Sequence, residues 1–238
     1  MKPLHLYGTH AALAALANPM RKIKRVLVTK NAQKELEKNL SGVKNLAVVD
    51  AQKLESLLPP GSVHQGIAVE CELLAQPSLQ EWLSEKIEPV LLLDQITDPH
   101  NVGAILRSAA AFDVGAVIAT DRGAPQESGV MAKAASGALE IVPLISVTNL
   151  VQAIEFLKKS GYWIAGLDSA AKQPLHEAKL DTKTALVLGA EGAGLRRLTS
   201  EHCDFLVRLP MSNRMESLNV SNAAAVALYD LYRRRNSG

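Results

Sequence analysis

The chain has 238 residues, with 47% apolar and 21% charged side chains, and 26 Lys and Arg stand against 24 Asp and Glu. That composition supports a packed core and excludes a disordered or collagen-like chain, while the length fits one large domain or two small ones. A net charge of +2 is too small to name a nucleic-acid partner. The longest apolar runs, such as 223–228, fall well short of the roughly 20 residues that cross a bilayer, so no membrane segment is expected.

The start, Met1-Lys2-Pro3-Leu4-His5-Leu6-Tyr7-Gly8, runs into foldable sequence without a basic-then-apolar leader, so a cytoplasmic location is expected. The cysteines, Cys71 and Cys203, lack metal-ligand or disulfide spacing and read as buried bystanders, so no metal is expected. Over 1–71 the pattern predicts a small α/β unit. Strands fall at 25–28, 46–49 and 66–69, and helices at 11–17 and 31–39. Within it Arg21, Lys22, Lys24, Arg25, Lys30, Lys34, Lys38 and Lys44 crowd a segment with only Glu35 and Glu37 as acids. A phosphate-facing surface and a solvated lysine-rich face both fit that crowding.

Residues 72–88 lose strand character and contain Pro77, as a linker or bridging helix would. From 89 to 238 a second alternation follows, with strands at 90–93, 116–119, 141–145, 163–166, 185–188 and 205–209. Helices at 102–112, 130–137, 150–160 and 220–234 separate them. The expected architecture is α/β, with a parallel sheet covered on both faces and ligands bound beyond the carboxyl ends of its strands.

Three segments can carry chemistry. The first runs from Asp94 to Arg107, leaving a strand and entering a helix, with Asn101 as its expected N-cap. Gly103, four residues before Arg107, shares its helical face and would leave room for an approaching group. Arg107, among Ile105, Leu106, Ala109 and Ala110, needs an anion; a phosphate serves as well as an ion pair with Asp94 or Asp98. The second, Leu188-Gly189-Ala190-Glu191-Gly192-Ala193-Gly194, has the wrong glycine order for a dinucleotide fingerprint, and Glu191 would repel a pyrophosphate. What remains is a turn that exposes backbone groups and carries one carboxylate at its tip. In the third, Leu209-Pro210-Met211 and then Met215 to Asn222, Ser217, Asn219 and Ser221 are good caps for an alanine-rich helix, a role that needs no ligand.

In this order and at these strand ends, Asn101 with Arg107, Gly189-Ala190-Glu191-Gly192 and Ser217-Leu218-Asn219-Val220-Ser221 resemble the three motifs of the SpoU/TrmH methyltransferases of the SPOUT superfamily. The likeness covers most of 90–232. Leu6-Tyr7-Gly8-Thr9-His10 and His64-Gln65-Gly66-Ile67-Ala68 resemble the L30e-like substrate-binding extension of the large-subunit rRNA guanosine 2′-O-methyltransferase branch. The resemblance implies a carboxyl-terminal trefoil knot, a homodimer, an RNA substrate, and S-adenosylmethionine touching the backbone of Gly189, Leu209 and Leu218. It also implies methyl transfer to a ribose 2′-hydroxyl of rRNA. Asn222 departs from the apolar residue of many relatives, which touches the packing of the last helix.

By that resemblance Arg107 grips an RNA phosphate and stabilises charge on the hydroxyl oxygen; a guanidinium is a poor base, which leaves the proton to RNA phosphate or water. Asn101 and Asn219 would orient Arg107 and substrate, and Glu191 would fix the loop or the arginine. The competing expectations are a tRNA ribose methyltransferase, a non-enzymatic RNA-binding assembly factor and, furthest off, a nucleotide-dependent oxidoreductase.

Overall fold

The computed structural model describes residues 3–85, 88–180, 183–212 and 214–236. The amino-terminal unit has strands β1 (Leu4–Tyr7), β2 (Ile23–Val28), β3 (Leu46–Val48) and β4 (Ile67–Cys71) in the order β1-β4-β2-β3. β4 pairs antiparallel with both β1 and β2, and β2 runs parallel to β3. Helix α1 (Thr9–Ala17) is buried through its alanines with Leu6, Val26, Val28 and Val69 on one face of the sheet. Leu54 of α4 (Ala51–Leu57) and Leu58 pack with Tyr7, Leu27 and Ala68 on the other. The helix expected over 31–39 is two pieces, α2 (Lys30–Glu35) and α3 (Glu37–Leu40), because the chain leaves helical geometry at Leu36.

An irregular stretch and α5 (Leu79–Glu85) lead to the second unit; residues 86 and 87 of the expected linker lie outside the described residues. There follow β5 (Val90–Asp94), α6 (Pro99–Ala111), β6 (Ala116–Thr120), α7 (Gly129–Ala135), β7 (Leu144–Val147), α8 (Leu150–Lys159) and β8 (Trp163–Leu167). The chain then forms β9 (Gln173–Pro174), β10 (Thr184–Gly189), α9 (Arg197–Glu201), β11 (Phe205–Arg208) and α10 (Val220–Arg235). Among the described residues the sheet has seven strands, ordered β7-β6-β5-β10-β8-β11-β9 and parallel throughout. All five residues of β5 and of β6 are buried, as strands covered on both faces must be. The strand expected at 141–145 begins only at Leu144: Pro143 has no N–H to give a ladder, and Ile141 points to solvent.

The two units are joined by more than a linker. Arg21, expected on an exposed basic surface, either phosphate-facing or solvated, is 4% exposed and locked between two carboxylates of the second unit. Its guanidinium donates to Glu127 Oε1 at 2.5 Å and to Glu140 Oε1 at 2.5 Å and Oε2 at 3.2 Å, with a further bond to the Glu72 carbonyl at 3.0 Å. Asn18 donates to Glu140 at 2.8 Å, and the Leu74 N–H to Glu127 at 3.0 Å. A planar donor fork suits two carboxylates, which explains an arginine here rather than a lysine. Lys22 and Lys24 face Glu72, and Arg25 bonds Glu70, so part of the basic segment is neutralised locally. Arg21→Ala is expected to destabilise the protein by about 3–5 kcal/mol, because it strands two largely buried carboxylates. A guanidinium chloride denaturation curve measures the loss.

Candidate functional site

The site is built at the carboxyl ends of β5, β10 and β11. Leaving β5, the chain turns at Gln95, whose backbone takes the left-handed region at φ 62°. Helix α6 is capped by Asp98, whose carboxylate accepts the His100 N–H at 2.9 Å, with Pro99 opening the helix. Asn101, the expected N-cap, therefore lies inside the first turn and its side chain is free for another use.

Leaving β10, the backbone folds into a narrow turn. Ala190 and Gly194 exchange hydrogen bonds at 3.1 and 2.8 Å, and Gly192 and Gly194 take positive φ of 79° and 67°. Glu191 is exposed at the tip, as its place in the motif predicts. The turn lies so close over Gly189 that a Cβ there would sit 2.1 Å from the Gly194 carbonyl carbon. Its return limb is pinned by Asp94, 0% exposed, which accepts the Arg196 N–H at 2.9 Å and Nε–H at 2.6 Å. The sequence reading missed Arg196; the signal was an acid closing the apolar strand Val90-Leu91-Leu92-Leu93, which demands a cation.

After β11 the chain reaches Asn219, the N-cap of α10, whose Oδ1 accepts the Ser221 N–H at 2.9 Å and hydroxyl at 2.6 Å. Its Nδ2 donates to Asn101 Oδ1 at 3.1 Å and reaches Glu191 Oε2 at 3.4 Å. One amide thus caps its own helix and ties together all three motif segments. Tyr229 and Tyr232 of α10 pack on Phe112 at the end of α6, with ring centroids 5.8 and 5.9 Å apart, which holds the two helices in register.

Arg107 stands apart from this cluster. Six residues beyond Asn101 it points about 120° away around the helix, and it is exposed. Among the described residues it makes no ion pair or hydrogen bond. Among the described residues Asn101, Asn219 and Glu191 bond to one another and none of them bonds Arg107. The expected pairing with Asp94 or Asp98 fails, because Asp94 holds Arg196 and Asp98 caps α6. Gly103 does not make room for a ligand: a Cβ there would lie 2.4 Å from the Met131 carbonyl oxygen, so its role is close packing of α6 on α7.

Beside the cluster lies a cavity of about 330 Å³ whose walls include Gly189, Leu209 and Leu218, the three residues marked for a cofactor. Leu167, Leu188 and Val220 add apolar wall. Asp168, Glu191 and Glu216 line it too, with no Lys, Arg or His among its described lining residues, so it favours a cationic ligand that has an apolar part. Among the described residues the N–H groups of Leu209 and Leu218 donate to no protein acceptor, leaving them for a ligand. Asn222 is exposed on α10 and disturbs no core packing. Burial pushes the thiols of Cys71 and Cys203 up to about 12, so neither is a nucleophile near neutral pH.

Comparison with known proteins agrees with this layout. Residues 88–229 match the SpoU rRNA Methylase family, and residues 5–77 match the family described as RNA 2'-O ribose methyltransferase substrate binding. The chain is 41% identical to a Coxiella burnetii protein named 23S rRNA (guanosine-2'-O-)-methyltransferase RlmB, over 98% of this chain and 96% of that one. A Haemophilus ducreyi protein of the same name is 40% identical, with 98% of both chains covered. Among solved structures, the SpoU methyltransferase AviRb from Streptomyces viridochromogenes with AdoMet has a TM-score of 0.84 at 22% identity, over 100% of this chain and 92% of that one. The A. aeolicus TrmH/SpoU tRNA modifying enzyme reaches a TM-score of 0.58 at 24% identity, over 67% of this chain and 85% of that one. At these identities both likenesses speak for the fold.

Asn219→Ala is expected to cost about 1 kcal/mol of stability through loss of the helix cap, within a range of about 0.5–2. Thermal or urea unfolding reads it directly, and Asn219→Asp, which keeps the capping oxygen but loses the donor to Asn101 and sets a second carboxylate against Glu191, should recover only part of the loss.

Proposed function

The chain belongs to the SpoU rRNA methylase family, and from that premise we propose that it transfers a methyl group from S-adenosylmethionine to the 2′-hydroxyl of a guanosine ribose in 23S rRNA. The observation that carries the reading is the convergence of Asn101, Glu191 and Asn219 at the mouth of a cavity walled by Gly189, Leu209 and Leu218. The ribosomal substrate is favoured over tRNA by relatives of that name that match nearly the whole chain, amino-terminal unit included.

The cavity's residues fit the methyl donor. Leu209 and Leu218 offer apolar surface for an adenine and unused backbone donors for its ring nitrogens. Asp168, Glu191 and Glu216 suit the positive charge of a sulfonium and an amino group. Bound there, S-adenosylmethionine supplies an electrophilic methyl. The chain's own residues supply position and field. Asn219 fixes the loops from β5 and β10, holding cavity and substrate lip in one frame, which is what an in-line displacement requires. Arg107, exposed and without a protein anion among the described residues, is free to grip an RNA phosphate and to stabilise negative charge growing on the ribose oxygen. A guanidinium holds its charge at neutral pH, so the proton leaves to phosphate or water.

Two further features belong to the same reading. A second copy of the chain packs against α10, a pairing supported by the half-exposed side chains of Val226 and Tyr229 on one helical face. The carboxyl-terminal segment is threaded as a trefoil knot, a reading supported by the insertion of β10 between β5 and β8 and by the return of α10 to α6.

The test is transfer of labelled methyl to large-subunit rRNA and, separately, to unmodified tRNA. Label in rRNA at a guanosine 2′-O position is expected; label confined to tRNA overturns the substrate assignment. In the same assay Arg107→Ala is expected to abolish transfer, a fall of at least about 10²-fold, while S-adenosylmethionine affinity stays near wild type. Equal loss of both would overturn the role given to Arg107.

A further inference from the structure

Helix α7 is wedged between the two units. Gly129 lies against β1, where a Cβ would meet the His5 carbonyl oxygen at 2.3 Å, and the Met131 carbonyl lies against Gly103 of α6. Lys133, on this helix, reaches across the seam. Its ammonium donates to Gln65 Oε1 at 2.5 Å, and the same oxygen accepts the Thr9 N–H at 3.1 Å. The lysine packs over Gly8 so tightly that a Cβ there would lie 2.5 Å from Nζ. Gln65 is held at φ 55°, a left-handed conformation disfavoured for any residue with a side chain.

Among the described residues no carboxylate pairs with Lys133, and the bond to the Gln65 amide engages one of its three donors. Burial lowers its pKa, as expected for a cation partly stripped of water and left without an anion. Arg21 shows the alternative at the same seam, a cation with two carboxylates of its own. Gln65 and His10 are exposed and Lys133 is partly so, which leaves the ammonium within reach of a large ligand.

We infer that Lys133, aimed by Gln65, is a phosphate contact for RNA running from the amino-terminal unit to the methylase unit, so that the seam itself reads the substrate backbone. This rests on the RNA-methylating reading above. An ammonium with two unengaged donors recognises an anionic oxygen, and the RNA backbone presents one at every nucleotide.

The test measures binding of a large-subunit rRNA transcript against salt concentration for wild type, Lys133→Gln, Lys133→Arg and Gln65→Glu. Lys133→Gln is expected to weaken binding roughly four- to six-fold near about 0.15 M salt and to reduce the slope of log K against log salt by about 0.7–0.9, the loss of one phosphate contact. Lys133→Arg should keep the wild-type slope. Gln65→Glu should lose it as Lys133→Gln does, without lowering the thermal midpoint, because it neutralises the ammonium while preserving the bond across the seam. Unchanged slope and affinity in Lys133→Gln, or wild-type binding by Gln65→Glu, would overturn the inference. A wild type that shows the contact yet methylates no RNA would defeat the activity and leave the contact standing, whereas methylation with an unmoved slope would defeat the contact alone.

Discussion

Among the described residues the seven strands of the larger sheet run in one direction and send their outgoing loops to the same edge, and the pairing of β10 with β5 decides which loops meet there. Gly189 lies in register with Asp94, so the turn after β10 begins level with the residue that must hold it. Because Asp94 is fully buried, its carboxylate has to be satisfied within the protein, and Arg196 does this with both its backbone and its side chain. The narrow turn carrying Glu191 is thereby suspended between the end of β10 and a fixed anchor.

The remaining constraint comes from the last helix. With its oxygen capping α10, Asn219 turns its amide N–H group toward Asn101 and Glu191, so one side chain both finishes the helix end and closes the site. This leaves Arg107 as a charge outside the hydrogen-bonded cluster. Such an arrangement separates two tasks, holding the loops and meeting the substrate, and assigns them to different residues of one helix.

Elements with strong local signals were legible in the sequence. The apolar runs of β5, β6 and β10 and the alanine-rich α10 fall where the pattern put them, and the glycines at 189, 192 and 194 marked the tight turn with Glu191 at its tip. What escaped was set by tertiary partners. Asn101 looked like a cap because Asp98 and Pro99 upstream compete for that role and win by local geometry. Arg21 looked like one more surface cation, since Glu127 and Glu140 lie more than a hundred residues away in sequence. Gly103 looked like space for a ligand because nothing in the sequence said that α7 would fill it. Motif order, by contrast, carried the three segments together, and the fold then supplied the hydrogen bonds that order alone could not specify.

The most direct measurement is a crystal structure of the chain with S-adenosylmethionine or its demethylated product. The ligand is expected between the turn after Gly189 and the backbone at Leu209 and Leu218, with the Asn101, Asn219 and Glu191 side chains still joined. A ligand seated elsewhere in the molecule, or one that binds only after that cluster has come apart, would contradict the account.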